Sequence, residues 1–140
     1  MAKGEEVEIL PPAKERGLGA VTFSPDGNYV YYAEYTSTSP RGTIYRVATL
    51  GGATRKIVDG AWACIPSPDG THLAIASSDP VETTHTIILQ GPEGQDRKDL
   101  VVRTGEDHFD TAPAWSPDGA RIAIVSHQYG EDQKTMKYYR

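Results

Sequence analysis

The phrase Ser-Pro-Asp-Gly occurs three times in 140 residues, starting at Ser24, Ser67 and Ser116, which are 43 and 49 residues apart. A unit recurring at that period is one supersecondary element copied along the chain, and such elements are stable only when stacked on their neighbours. Turn chemistry explains the phrase. Pro25, Pro68 and Pro117 preset φ for the second position of a type I turn, Asp26, Asp69 and Asp118 offer carboxylates to nearby backbone, and Gly27, Gly70 and Gly119 accept the left-handed position. Each copy therefore reads as a hairpin.

The flanks of each turn agree. Before the phrases lie AVTF, AWACIP and APAW; after them lie NYVYYAE, THLAIAS and ARIAIVS, all of strand length and residue type. Aligned, the second strands place Val30, Leu73 and Ile122 at one position and Tyr32, Ile75 and Ile124 two residues on, the same face of a strand. These six are the expected core, with Ala33, Ala76 and Val125 small on the opposite face. A third strand follows in each unit, at residues 43–48, 84–90 and 134–139. A fourth follows twice, at 55–58 and 98–102. The strand-like run VEIL, Val7 to Leu10, precedes the first unit and supplies the missing twelfth strand.

The expected fold is all-β: a β-propeller segment of three four-stranded blades, at about 19–58, 61–102 and 111–139, the last completed by an N-terminal strand at 7–10. Closed propellers typically hold four to eight blades. Three blades leave two raw faces, so the expectation is a homodimer in which two half-propellers make a six-bladed ring, each chain lending its first strand to the last blade of the other. Three chains would make nine blades, above the usual range.

F-SPDG-NYVYYAE, LGGATRKIVDG and PAWSPDGARIAIVS resemble TolB-type β-propeller repeats over almost the whole chain. The first unit is similar to propeller sensor segments of bacterial Ser/Thr protein kinases. The resemblance to TolB implies a periplasmic setting and binding of protein or peptide partners; in prolyl-oligopeptidase relatives a similar propeller gates a hydrolase. No catalytic residue is carried over from either.

Composition narrows the function. A net charge of −5 without a clustered basic patch argues against a nucleic-acid surface. No apolar stretch is long enough for a signal peptide or a membrane span, which points away from a membrane partner and leaves the compartment open. The lone Cys64, in the apolar run AWACI, reads as a buried small hydrophobe. Hydrolase elbows, metalloprotease helices and phosphate-cradling loops are missing from the sequence, so the expectation is a protein that is not an enzyme and needs no cofactor or metal.

Candidate binding residues come from the links between fourth and first strands and between second and third strands, which emerge together on one face of a propeller. Loops on a rigid scaffold favour binding. On this basis Arg16, Tyr35, Arg41, Asp107, His108 and Tyr129 are the candidates for a ligand or partner. EDHFD, from Glu106 to Asp110, sets carboxylates beside an imidazole, a group able to bind a cation or tune a proton transfer. His85 and His127 read as strand-edge residues, and His72 as a surface residue. The alternative function is a ligand-gating or catalytic propeller using the acidic loop near His108 and the central channel.

Overall fold

The computed structural model describes residues 4–128 and 133–140. Every regular element among them is a strand: β1 Gly17–Phe23, β2 Tyr29–Thr36, β3 Ser39–Ala48, β4 Arg55–Asp59, β5 Ala61–Pro66, β6 Leu73–Asp79, β7 Thr84–Gln90, β8 Lys98–Thr104, β9 His108–Phe109, β10 Ala114–Trp115, β11 Ile122–Gln128 and β12 Gln133–Tyr139. They form three antiparallel sheets, β1-β2-β3-β4, β5-β6-β7-β8, and a third in which β9 and β10 both pair with β11, followed by β12. These are the three expected blades.

The repeated phrase closes each first hairpin through the same hydrogen bonds. The N–H of Gly27, Gly70 and Gly119 donates to the carbonyl of Ser24, Ser67 and Ser116 at 2.8–2.9 Å. All three glycines sit at φ between 71° and 74°, which a side chain would strain. Ser67 shows why serine is required: its hydroxyl donates to Asp69 Oδ1 at 2.6 Å and accepts the His72 N–H at 3.0 Å, while Asp69 Oδ1 accepts the Thr71 N–H at 3.0 Å. Ser24 and Ser116 repeat the pattern. Consecutive turns also touch, since a Cβ on Gly70 would stand 3.8 Å from Pro25 Cδ and one on Gly119 3.7 Å from Pro68 Cδ. The phrase thus shapes a hairpin and meets its copy in the next blade.

Packing between blades follows the period-two alternation of the second strands. Leu73 and Ile75 of β6 face blade 1 and pack with Tyr31, Ala33 and Ile44. Ala74 and Ala76, on the other face of β6, pack with Ile122 and Ile124 of β11, together with Ile87, Leu89 and Phe109. Each seam therefore joins one face of a second strand to the opposite face of the second strand in the blade before it. All six expected core residues are buried. Cys64 is buried in the first seam, which pushes its thiol pKa well up and suits an inert packing residue.

The first strand of every blade bends at the same height. β1 has a bulge at Ala20, where φ is 33°, and β5 one between Ala61 and Ala63. In blade 3 the bend widens into a break: Asp110 still donates to the Val125 carbonyl at 3.1 Å, but the ladder lapses before Ala114, across a stretch containing Pro113, which has no N–H. The expected single strand at 112–115 is thus two short ones beginning at His108.

Val7 to Leu10 has a different place within one chain. No strand forms among described residues 4–16. Ile9 and Leu10 instead rest on Val30, Tyr32 and Val47, the outward face of blade 1. The edge expected to pair with this segment belongs to the last blade of a second copy; within one chain neither β4 nor β1, the edges of blade 1, takes it up.

Candidate functional site

The β2–β3 and β6–β7 loops and the β4–β5 and β8–β9 links share one end of the blades, as the antiparallel order requires. Tyr35 lies at this end of β2 with its ring against Gly17 and Gly19, packed onto the first seam. At Gly42, φ is 92° and a Cβ would stand 2.6 Å from the Ala61 carbonyl and 3.1 Å from the Tyr35 ring, so blade 1 crosses onto blade 2 at a point only glycine fits. Arg16 bonds the Pro11 carbonyl and lies 3.9 Å from Glu34, which ties the N-terminal segment to β2. Tyr35 and Arg16 thus hold structure.

Arg41 and His108 belong to a different group. His108, on β9, donates from Nδ1 to the Glu106 carbonyl at 2.9 Å, and its Nε2 lies 3.4 Å from Asp110. Its ring stands 5.2 Å from His127 and 6.2 Å from His85. His85 shares a hydrogen bond with the Ser78 hydroxyl at 2.9 Å. Burial lowers the His85 pKa below its ordinary 6.5, and the positive fields of His108 and Arg41 lower it further. Asp107 lies in the same connection and engages a neighbour. Tyr129 lies outside the described residues.

The three histidines come from β7, β9 and β11, in two blades, so the sequence separated them although each falls at the same end of its blade. Their reading as isolated strand-edge residues missed this gathering. No group of three or more His, Cys, Asp or Glu able to hold a metal ion occurs among the described residues.

Two hollows flank this region. A polar cleft of about 350 Å³ lies between blades 1 and 2, lined in part by Asp59, Ser78, Asp79, Thr86 and Asp99. Lys56 and Thr43 already bond Asp59, and the N–H groups of Val81 and Glu82 bond Asp79; these contacts hold both carboxyls below the ordinary 3.8. An apolar groove of about 370 Å³ runs along the outward face of blade 1, lined by Leu18, Val21, Val30, Tyr32 and Val47 with Ile9 and Leu10.

Both end faces of the blade stack carry exposed apolar side chains. On blade 1, Val21 is 72% and Phe23 64% exposed; on blade 3, Met136 is 75% and Tyr138 58% exposed. Register places Met136 opposite Val125 and Tyr138 opposite Ala123, on the face of blade 3 turned away from blade 2.

Radial four-stranded sheets joined by repeated turns define a β-propeller segment. Solved structures agree on the fold. The chain is similar to the β-propeller domain of the trilobed protease from Pyrococcus furiosus, described there as having an open velcro topology, with 21% identity and a TM-score of 0.70 over 90% of this chain and 39% of that one. It is similar to a TolB-type protein of Agrobacterium tumefaciens, with 23% identity and a TM-score of 0.57 over 86% of this chain and 42% of that one. It also resembles a chain of a nidogen/laminin complex, at 14% identity and TM-score 0.63, over 89% of this chain and 44% of that one. The chain spans less than half the length of each of these structures. No family model and no curated protein matches the sequence.

Proposed function

We propose that this chain is a non-catalytic propeller scaffold of the TolB-like repeat kind, which covers its two open faces with a second copy and presents its loop face to a protein or peptide. The carrying observation is the alternation of faces. At both existing seams the same pair of second-strand positions, Leu73 and Ile75 or Ile122 and Ile124, meets the opposite face of the preceding blade's second strand, Tyr31 and Ala33 or Ala74 and Ala76. One face of each kind meets no neighbouring blade: Val30 and Tyr32 on blade 1, over which Ile9 and Leu10 lie, and Ala123 and Val125 on blade 3. With Ile9 and Leu10 displaced from that face, blade 1 of one copy against blade 3 of the next repeats the same seam, and two such head-to-tail contacts related by a twofold axis close six blades. The turns fit this too, since Gly27 has no neighbour where Gly70 and Gly119 each meet the proline of the preceding blade. In the ring Pro117 meets Gly27.

Chemistry at the loop face favours binding over catalysis. Ser78 and His85 form a hydroxyl–imidazole pair. Burial and the positive fields of His108 and Arg41 at His85, however, disfavour the imidazolium that a general base must form. A propeller chain of similar fold in a nidogen/laminin complex suits a protein-binding role.

The test is a charge placed on each open face. Val125→Arg and Val21→Arg should each leave a folded monomer by circular dichroism and light scattering, while the native chain is a dimer. Identical masses for native and both variants would refute self-association through these faces.

A further inference from the structure

We propose that His85, His108 and His127 form a proton-sensitive latch across the seam between blades 2 and 3, which holds when the imidazoles are neutral and loosens on mild acidification. His85 extends from β7 of blade 2, whereas His108 and His127 belong to β9 and β11 of blade 3. The rings are close enough, at 5.2 and 6.2 Å between centroids, that a second imidazolium would feel the first strongly in partly buried surroundings. This device is independent of ring closure.

The surrounding charges set the order of events. His108 has an oxygen acceptor at each nitrogen, the Glu106 carbonyl at Nδ1 and Asp110 at Nε2, so a ring carrying both protons can donate from both. His85 has the opposite setting. Its register partner on β8 is Arg103, whose Nε is buried without a hydrogen-bond partner, and Arg41 of β3 adds positive field from blade 1. On β6, Ser78 offers a neutral hydroxyl, and the neighbouring Asp79 is engaged by backbone N–H groups. His127 pairs in register with His108 on β9. Asp110 sets a carboxylate 3.4 Å from His108 Nε2. A proton taken up at His85 therefore enters a region already positive.

The direction of the effect follows from linkage. A histidine whose pKa is depressed in the fold binds protons more readily when unfolded. Its contribution to the seam is complete above the ordinary value of 6.5 and is lost as pH falls below it. The turn carboxylates act in a separate window, below 3.8, so mild acid reports on the histidines.

The experiment is thermal unfolding of the full chain between pH 8 and 5.5, in EDTA, beside the double variant His85→Gln, His127→Gln. The native midpoint should fall by roughly 5 °C or more across that range, and the variant should lose at least half of the fall. A flat native profile, or an equal fall in the variant, overturns the latch. Should the variant not fold, histidine NMR of the native chain decides. One ring should titrate below 6.5, with faster amide exchange in β7 and β11 after correction for intrinsic rates. Three rings titrating alike, with unchanged protection, overturn the proposal.

Discussion

Blades 2 and 3 share the same turn phrase and nearly the same second strand, LAIAS against IAIVS, yet they differ in what surrounds them. In blade 2 both faces of β6 are sealed, Leu73 to Ala76 being wholly inaccessible. In blade 3 the inward residues Ile122 and Ile124 are buried, while Ala123 and Val125 are partly open and Met136 and Tyr138 on β12 are exposed. Local sequence sets strand and turn in both. Burial, and with it most of the stabilisation, comes from the neighbouring blade.

That contrast can be tested by matched substitutions. Ile75→Ala removes a wholly buried side chain between two blades and should cost about 3 kcal/mol in urea unfolding. A cost under about 1 kcal/mol would mean that the blade 1–2 seam is loosely packed. Trp115→Phe is next: it strips the indole N–H that donates at 2.9 Å to the Ile65 carbonyl across the blade 2–3 seam, with an expected loss of about 1–2 kcal/mol. The serine of the turn sharpens the contrast further. Ser67→Ala removes a buried hydroxyl serving two hydrogen bonds and should cost about 1 kcal/mol, whereas Ser116→Ala, at a more open site, should cost less than half of that.

Acid should act on all three turns alike. The serine hydroxyl holds Asp26 and Asp118 below the ordinary 3.8 and brings Asp69 down to about 2, backbone N–H bonds adding to the shift. A depressed carboxyl stabilises the fold above 3.8 and loses that contribution as pH falls towards about 2. Asp69→Asn should flatten part of the acid limb of a stability profile; an unaltered limb would remove the turn from the account. The smallest effect belongs to Met136→Ala, which should shift the stability of dilute, dissociated protein by no more than about 0.5 kcal/mol.

The sequence made the local features legible. Ser-Pro-Asp-Gly announced three hairpins because each of its residues answers one requirement of a turn, and alternation along NYVYY, HLAIA and RIAIV marked the core. What it hid depends on contacts distant along the chain. Val7 to Leu10 has strand-like composition, but the edge expected to take it lies on a second copy, and within one chain Ile9 and Leu10 lie on an apolar sheet face. The break between β9 and β10 turns on Asp110 and Pro113 meeting a bend common to all first strands. The histidine row required knowing which strand ends meet across a seam, and no local pattern around His85 or His127 carries that information.

Self-association of the open faces is tested most directly by sedimentation equilibrium of the native chain at micromolar concentration. Two copies closing a ring give twice the chain mass of 15.2 kDa. A single species at 15.2 kDa, stable across a wide concentration range, would contradict the pairing of blade 1 with blade 3.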